Sequence, residues 1–426
     1  MRWIILAAAG RPPVGPDGLQ GSADVEPNGA MPPAPARRRR PHPLDLAAVA
    51  LALSGAACVL TGLLPRAEAT ATVTRILPLL LFLGSVVVLA ELTAAAEVFD
   101  VLATRLAILA RGRRGPLFLL CVGFASATTV LLNLDTTAVL LTPVLLALAV
   151  RIGIAPLPLA VTTVWLANTA SLLLPVSNLT NLLAADRIGL DPLGYAARMW
   201  LPQVAAIAVT AAWLWVLYWR DLPQRFDVPR PLAPVDRTLY RTALGGCLLF
   251  VVGIAVGVPI GVASTVAVAV ALVGFALRSP ATLRLRLLPW RLLLLVTGLF
   301  LVVQTLGRHG LNDLAGTLVG AGDGAVGVLR AGGTGALLAN AVNNLPAYLA
   351  GEAVLGVHDQ VRLLALLIGT NVGPLVVPWA SLATLLWYER CRSAGVPIPL
   401  GRFVATGTLL AVTATGAALG ALLLTG

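Results

Sequence analysis

Long apolar runs, separated by short polar stretches, fill the chain from Leu46 to its end. Most runs hold the roughly 20 residues that a helix needs to cross the hydrocarbon core of a bilayer. The pattern therefore predicts an all-α polytopic membrane protein. The predicted segments are Leu46–Leu64, Ile76–Leu92, Leu117–Val150, Leu157–Ala184, Met199–Trp219, Thr242–Val258, Ile260–Leu277, Leu292–Leu306, Ala325–Leu355, Leu363–Tyr388 and Phe403–Leu424.

Two of these segments, Leu117–Val150 and Ala325–Leu355, have polar residues near their centres. Each arm is too short to cross a bilayer comfortably, so each segment is predicted to be a re-entrant hairpin that enters and leaves on one side. Leu157–Ala184 and Leu363–Tyr388 contain an internal Pro and are predicted to be broken helices. Such backbone survives in a membrane only where protein or a water-filled cavity covers it.

The arginines test this topology, because cytoplasmic loops of membrane proteins carry an excess of positive charge. All 30 basic residues are Arg. If Arg37–Arg40 lies in the cytoplasm and neither hairpin counts as a crossing, 21 arginines fall inside and seven outside, and the remaining two, Arg2 and Arg11, belong to the tail. Counting a hairpin as a crossing would invert every later loop and remove the bias. We therefore predict a multi-pass protein of the cell inner (plasma) membrane with a cytoplasmic N-terminus.

A weak internal repeat relates the two broken helices. The first contains NTASLLLPVSNLTNLL, which begins at Asn168, and the second contains NVGPLVVPWASLATLL, which begins at Asn371. Six of sixteen positions are identical, among them the Asn and an internal Pro. Each half then consists of two helices, a hairpin, a Pro-broken helix and a closing helix, and the extra crossing between the halves predicts that the second copy is inverted. Two inverted-topology repeats with discontinuous helices are typical of secondary transporters.

The predicted domain organisation follows from these segments. It comprises a disordered Arg- and Pro-rich cytoplasmic tail at 1–43, a first transmembrane repeat at 44–219, a cytoplasmic linker at 220–241, a connecting transmembrane helix at 242–258 and an inverted second transmembrane repeat at 259–426.

Composition excludes several other classes of protein. The chain is 58% hydrophobic and 12% charged, whereas a soluble domain is about 25% charged. The net charge of +11 does not indicate nucleic-acid binding, because the arginines lie in short loops between apolar runs. Four scattered cysteines without a CxxC pair, and three histidines in loops or the tail, predict neither a metal site nor a cofactor. A P-loop motif is missing from the sequence, which argues against an ATP-driven motor in this chain.

An acid within an apolar segment is the clearest functional signal. Asp135 lies in the first hairpin, and an ionisable residue inside a membrane is by default a functional candidate. It could carry a proton or bind Na⁺ as an oxygen ligand; the alternative is a structural N-cap of the helix that begins at Thr136. The hairpin tip and the first break add neutral hydrogen-bonding groups, which are Asn133, Thr136, Thr137, Asn168, Ser177, Asn178 and Asn181.

Four stretches together resemble the ion transporter superfamily, and most of all its arsenical pump membrane proteins. They are NLDTTAVLLTPV from Asn133, PVSNLTNLL from Pro175, NNLPAYL from Asn343 and GTNVGPLVVPWASLATLLW from Gly369. The resemblance covers most of the chain from about residue 45 onward. It implies that the substrate site is lined by Asn133, Asp135, Thr137, Ser177, Asn178, Asn343, Asn344, Asn371, Ser381 and Thr384.

The resemblance implies a secondary active transporter, not an enzyme, that exports arsenite or antimonite. Trivalent arsenic is an uncharged trihydroxide at neutral pH, and it suits a pocket of Asn, Ser and Thr without Arg. We expect it to leave in exchange for protons, with Asp135 as the coupling residue.

Other members of the superfamily keep several alternatives open. They carry citrate, dicarboxylates or sulfate, or exchange Na⁺ for H⁺, and the carboxylate carriers also use Asn and Thr. An intramembrane enzyme would need a second convergent catalytic group near Asp135, and the apolar segments offer no such His or Asp. The expected partners are the substrate, H⁺ or Na⁺, and the lipid bilayer. A homodimer and a separate ATPase subunit also stay open.

Overall fold

The computed structural model describes residues 43–425 apart from residues 321, 323, 357 and 358. In this part of the chain the backbone forms helices and their connections, with one isolated bridge between Arg113 and Arg225. Nine of the described helices are long and apolar enough to cross a membrane, and they include three arms of the two predicted hairpins, Arg114–Leu132, Leu134–Arg151 and Gly324–Val342. The expectation that each arm is too short to cross is therefore wrong, and the re-entrant path of the hairpins stays a prediction. The predicted fold class, an all-α polytopic membrane protein, is confirmed. The tail predicted at 1–43 lies outside the described residues except for Pro43.

The first half of the chain contains a pair of long helices, a hairpin, a broken helix and a closing helix. Its helices are α1 (Pro43–Leu60), α2 (Arg66–Ala95), α3 (Val98–Leu109), α4 (Arg114–Leu132), α5 (Leu134–Arg151), α6 (Pro156–Thr169), α7 (Leu179–Ile188) and α8 (Pro192–Leu214). The hairpin consists of α4 and α5, and Asn133 alone separates them. The broken helix consists of α6 and α7, which flank a single 3₁₀ turn at Pro175–Ser177.

The second half repeats this order after a connecting helix. Its helices are α9 (Arg237–Ala255), α10 (Ile260–Arg278), α11 (Trp290–Leu306), α12 (Asn312–Val319), α13 (Gly324–Val342), α14 (Asn344–Val354), α15 (Gln360–Val372), α16 (Leu382–Ser393) and α17 (Leu400–Thr425). Asn343 alone separates α13 from α14, and a 3₁₀ turn at Pro378–Ala380 lies in the break between α15 and α16.

The hydrophobic pattern of the sequence did not predict two short helices, α3 and α12. They have 12 and 8 residues, so neither is long enough to appear as a membrane crossing. α3 packs against both arms of the first hairpin, and α12 against both arms of the second. These helices therefore support the hairpins from the side.

The packing of the long helices is reciprocal between the halves. α1 packs along α11 and α10 packs along α2, while α8 and α17 pack against each other. Likewise α6 contacts α16, and α15 contacts α7. If α1 corresponds to α10, α2 to α11 and α8 to α17, the contact of α1 with α11 is equivalent to that of α10 with α2. The contact of α6 with α16 is likewise equivalent to that of α15 with α7. A two-fold relation between the halves would produce this pattern; the inverted orientation of the second repeat stays a prediction.

Several ion pairs between described residues each join two segments that the arginine pattern places on the same side of the membrane. The pairs are Arg220–Asp221 and Arg278–Asp236 on the predicted cytoplasmic side, and Arg75–Glu352, Arg308–Glu68 and Arg362–Asp359 on the opposite side. Arg114 begins the first hairpin and donates to the carbonyl of Arg220, while Arg151 ends it and donates to Thr104 at 2.6 Å. Both ends of this hairpin thus lie with the predicted cytoplasmic segments.

Glycines allow α13 and α15 to pack closely. A Cβ at Gly335 would lie 2.6 Å from the carbonyl oxygen of Leu366, and one at Gly369 would overlap the carbonyl oxygen of Gly332. Small residues at helix interfaces in membranes permit this kind of backbone approach. The second hairpin is therefore held directly against the second broken helix.

Candidate functional site

Asn133 and Asn343 form the turns of the two hairpins with the same backbone connections. Each Asn N–H donates to the carbonyl four residues earlier, at 3.1 and 3.0 Å. Each Asn carbonyl accepts from the N–H four residues later, at 3.1 and 3.2 Å. Each Asn thus takes part in the last hydrogen bond of the first arm and the first hydrogen bond of the second arm, while its own backbone leaves the helical conformation.

The two turns share a backbone conformation that side chains rarely adopt. Asn133 has φ 88° and ψ 166°, and Asn343 has φ 129° and ψ 155°. This region belongs almost only to glycine, and occupying it costs about 1–3 kcal/mol per residue. The side chains offset part of this cost as helix caps: Oδ1 of Asn133 accepts from the N–H of Thr136 at 2.9 Å, and Oδ1 of Asn343 from that of Leu345 at 3.4 Å. Strain of this kind is concentrated at functional sites.

The two tips line one cavity of about 50 Å³, measured as the space open to the centre of a water molecule. A single water needs about 10–15 Å³ on this measure, so the cavity has room for a few waters or a small solute. Its polar lining consists of Asn133, Asp135, Asn178, Asn343 and Asn344. The rest of its wall is apolar and comes mainly from α2 and α11, including Phe82, Leu83, Leu292, Leu295, Val296 and Leu299.

Asp135 is the one acid among the described residues that line this cavity. It is partly buried, and its carboxylate takes part in no ion pair or hydrogen bond within the described part of the chain. A π-helical turn begins two residues later, at Thr137–Leu141, and this distortion is frequent at functional sites. The carboxylate is therefore chemically available to a proton or a cation.

The second halves of both broken helices begin at the same cavity. Leu179 and Leu382, their first residues, line it. Oδ1 of Asn178 caps α7, and Oγ of Ser381 caps α16 by accepting from the N–H of Thr384 at 3.1 Å. Nδ2 of Asn178 is buried without a hydrogen-bond partner in the described part of the chain. Two helix N-termini, which carry partial positive charge, and a free amide donor thus meet there.

Side-chain amides replace the backbone hydrogen bonds that are lost at the breaks. Gln203 accepts from two consecutive N–H groups of the first break, at 2.7 and 3.0 Å, and donates to the carbonyl of Thr169 at 3.0 Å. Asn340 donates to the carbonyl of Gly373 at 2.8 Å and accepts from the N–H of Val376 at 3.2 Å. Buried backbone groups need such partners, so these two amides keep the breaks open.

Buried hydrogen bonds also join the two broken helices to each other. Asn371 donates to Oδ1 of Asn181 at 2.6 Å and accepts from the hydroxyl of Thr180 at 2.7 Å. Nδ2 of Asn168 lies 3.4 Å from Oγ1 of Thr384. In the sequence repeat Asn168 aligns with Asn371, and Asn181 aligns with Thr384, so the two contacts are equivalent in the two halves.

Five of the 13 predicted site residues line the cavity: Asn133, Asp135, Asn178, Asn343 and Asn344. The other eight do not line it, and each is at most 3% exposed: Thr136, Thr137, Asn168, Ser177, Asn181, Asn371, Ser381 and Thr384. Several of them fix the hairpin and the breaks; Ser177, for example, donates to the carbonyl of Val130 at 2.9 Å. The hydroxyl of Thr136 and the amide oxygen of Asn168 have no hydrogen-bond partner among the described residues. A substrate-binding role for these eight stays a prediction.

Sequence reasoning did not single out Gln203 or the apolar lining from α2 and α11. A signal for Gln203 exists, because it is the only amide side chain in the apolar sequence of α8. The apolar lining from α2 and α11 gives no such signal, because in sequence its leucines and valines cannot be told from leucines and valines that face lipid.

Comparison with known proteins agrees with this architecture. The Citrate transporter family model matches residues 39–384, which include both hairpins and both breaks. The arsenical pump membrane protein of Escherichia coli is 30% identical over 80% of this chain and 84% of its own length, and that of Yersinia enterocolitica is 31% identical with the same coverage.

A solved structure shows a similar fold. The YdaH transporter of Alcanivorax borkumensis, described as having an unusual topology, matches with a TM-score of 0.52 and 16% identity over 90% of this chain and 98% of that chain. At this identity the likeness is one of fold. The family match extends over most of the chain, and relatives of 30% and 31% identity are covered over 84% of their length. The chain therefore belongs to the Citrate transporter family within the ion transporters, groups with the arsenical pump membrane proteins, and is a multi-pass membrane transporter rather than an enzyme.

Proposed function

We propose that the protein is a secondary active transporter that exports arsenite or antimonite as the uncharged oxyacid in exchange for protons. The cavity between the hairpin tips would hold the substrate, and Asp135 would carry the proton in the opposite direction. The N-terminus would lie in the cytoplasm and the protein in the inner (plasma) membrane. The names of the relatives motivate the substrate, since several are arsenical pump membrane proteins.

One observation carries the proposal. The tips of both hairpins and the N-termini of both second half-helices line one cavity, which contains a carboxylate without an ionic partner in the described part of the chain. Substrate sites of secondary transporters are formed in this way, by discontinuous helices where two halves meet.

The lining favours a small neutral solute over a citrate anion. Among the described residues on its wall there is no arginine, and the only charged group is the acid itself. A citrate trianion beside Asp135 would be compensated only by the partial positive charge of the two helix N-termini, and burying charge that is not fully paired is costly. A trihydroxide needs only donors and acceptors, which Asn133, Asn178, Asn343 and Asn344 supply. A citrate or other anion carrier, which the family description suggests, is the second candidate.

The coupling follows from the charge of Asp135. A ligand shifts a conformational equilibrium only by the difference in its affinity for the two states. With Asp135 ionised, the state that exposes the carboxylate to water is favoured; with Asp135 protonated, the state that encloses it costs less. Alternate binding of proton and substrate at the same cavity would then give exchange.

The test is arsenite resistance in bacteria that lack their own arsenite pump. Cells that express the wild-type protein should grow at higher arsenite concentration than empty-vector cells, and Asp135→Asn should abolish the gain. Asp313→Asn removes an exposed acid in α12 and should retain it. Expression of each variant is checked in membranes.

Two outcomes would count against the proposal. Well-expressed wild-type protein that gives no resistance would exclude arsenite export. Uptake of labelled citrate by the same cells, lost in Asp135→Asn, would favour the second candidate.

A further inference from the structure

A second cavity lies next to the first, on the side opposite to the predicted cytoplasmic face. It has a volume of about 280 Å³ by the same measure. We refer to it as the outer vestibule, and its polar lining consists of Thr72, Arg75, Arg187, Gln304, Asn312 and Glu352. It holds three charged groups, whereas the central cavity holds one.

The two cavities follow the same three helices. α11 lines the central cavity with Leu295 and Leu299 and the vestibule with Val303 and Gln304, a spacing of three to four residues that keeps to one helix face. α2 and α14 also contribute to both. The cavities therefore lie along one seam between α2, α11 and the second hairpin.

An apolar partition separates them. On α14, Leu345 lines the central cavity and Leu349 lines the vestibule, and four residues correspond to about 6 Å of helix. On α11 the neighbours Leu299 and Phe300 lie on either side. The partition is thus about one helical turn thick, and a small displacement of α14 from α11 would join the two cavities.

An ion pair closes the seam beside this partition. Arg75 on α2 donates to Glu352 on α14 at 3.1 Å. The Glu352 side chain is 5% exposed and that of Arg75 is 43% exposed, so the acid is enclosed while the base reaches water. Breaking a buried pair leaves an uncompensated charge and is strongly unfavourable. While Glu352 is ionised, the pair therefore holds the hairpin against α2.

Other charged groups also face Glu352. Arg187 and Asp186 act on it from α7, and the neighbouring ionisable group on its own helix is Tyr348. Tyr348 is buried, and its hydroxyl has no hydrogen-bond partner among the described residues. It lies one helical turn from Asn344, which lines the central cavity. Asn344, Tyr348 and Glu352 thus follow one another at intervals of one turn along α14, and the first lines the central cavity while the last lines the vestibule.

We infer that the outer vestibule is the outward branch of the transport pathway and that Glu352 is a second ionisable residue of the cycle, whose ion pair with Arg75 keeps this branch closed. A proton from the outer solution neutralises the Glu352 carboxylate, the pair with Arg75 loses its attraction, and α14 separates from α2. Substrate leaves and Asp135 is protonated from the same side. Glu352 then returns its proton to the outer solution and the pair re-forms. This inference rests on the proposed transport function, but not on the identity of the substrate.

Thiol labelling from outside tests it without any substrate. Leu299→Cys places a probe at the outer end of the central cavity, and Gln304→Cys places a reference probe in the vestibule. Sealed cells are treated with a membrane-impermeant maleimide at several external pH values, and each site is quantified by peptide mass spectrometry, so that the four native cysteines can remain. The rate at position 299 is divided by the rate at 304, which removes the ordinary dependence of thiol reactivity on pH.

We expect the ratio in the wild-type background to rise as external pH falls, by up to about tenfold per pH unit for control by one proton. Glu352→Gln and Arg75→Gln should give a high ratio at every pH. Glu352→Asp, which keeps the charge, should restore the dependence on pH. Glu68→Gln removes the Arg308–Glu68 pair on the same face, which does not involve the hairpin, and should leave the wild-type profile unchanged.

The outcomes separate this inference from the proposed function. The role of Glu352 would be overturned if wild type and Glu352→Gln gave equal labelling ratios that do not depend on pH, provided that both proteins are monodisperse in detergent. If the labelling ratio did not depend on pH in either Glu352→Asp or Glu68→Gln, the substitutions would only loosen the packing of the protein in general. That result would also overturn the role of Glu352. A chain that moves no arsenite but keeps the expected profile would refute the substrate while the outward branch stands.

Discussion

Asn133 and Asn343 hold a backbone conformation that glycine adopts freely, yet neither position is glycine. Their side chains give the physical reason. Each amide oxygen caps the helix that follows the tip, and each side chain lies at the central cavity. Glycine would relax the backbone but remove the cap and the polar group together.

This balance predicts an unusual order of stability at position 133. Asn133→Ala should lower the unfolding temperature in detergent, because it loses a cap worth about 1 kcal/mol and keeps a strained backbone. Asn133→Gly should be more stable than the Ala variant by about 1–3 kcal/mol, since the strain disappears. Both should transport poorly, because the cavity loses an amide.

Asn312 is the matched control. It begins α12 with helical φ −66°, where Ala is favoured over Gly by about 1 kcal/mol. The order of the Ala and Gly variants should therefore be the reverse of that at 133. The same order at both positions would contradict the strain at the hairpin tip.

The sequence indicates which polar residues are candidates for the site but not where the fold places them. The polar tip around Asp135 is visible because polar residues are rare in an apolar run. Asn178 and Asn181 look equivalent in sequence, yet one lines the cavity and the other bonds Asn371 in the opposite broken helix. Which amide faces substrate depends on the packing of two helices that are about 190 residues apart, and no local pattern encodes it.

At the scale of elements, the second hairpin is positioned by the contact of α13 with α15. Gly369→Ala adds a methyl group where the backbone of Gly332 already lies, so the helices must separate. We expect a destabilisation of about 1–3 kcal/mol, as for other overpacked sites, and a fall in transport because the tip at Asn343 shifts. Thermal unfolding and arsenite export by the same preparation measure the two effects.

Gly333→Ala provides the comparison within the same helix. A Cβ at Gly333 meets no atom within 4 Å, so the substitution should stabilise α13 slightly, by up to about 1 kcal/mol. Equal effects of the two substitutions would mean that close packing does not seat the hairpin.

The breaks and hairpins were predictable because Pro and clustered polar residues interrupt apolar runs. The short helices α3 and α12 were not, since neither is long enough to cross a bilayer. Their sequence does carry a weaker signal: Val98, Val101, Thr104 and Ala107 recur every three residues and are all buried. This spacing predicts a helix that packs on one side. It goes unnoticed when only segments long enough to cross a bilayer are considered.

In the whole molecule, these ion pairs join segments that the arginine pattern predicts on the same face of the membrane. Cysteines at Arg113 and Ala155, before and after the first hairpin, should therefore react with an impermeant reagent from the same side of the membrane. A cysteine at Leu63 should react from the other side. All three positions are exposed. Labelling of 113 and 155 from opposite sides would mean that the hairpin crosses the bilayer, and the topology would be wrong.

In the proposed transport cycle, a carboxylate between two hairpin tips exchanges a proton for a small oxyacid. Purified protein in proteoliposomes tests it most directly, with arsenite uptake and internal pH followed together after an acidic interior is imposed. We expect arsenite to accumulate while protons leave in a fixed ratio, and a Na⁺ gradient to have no effect. Asp135→Asn should still exchange arsenite for arsenite but ignore the proton gradient. Accumulation that does not depend on the proton gradient, or that Asp135→Asn retains, would contradict the account.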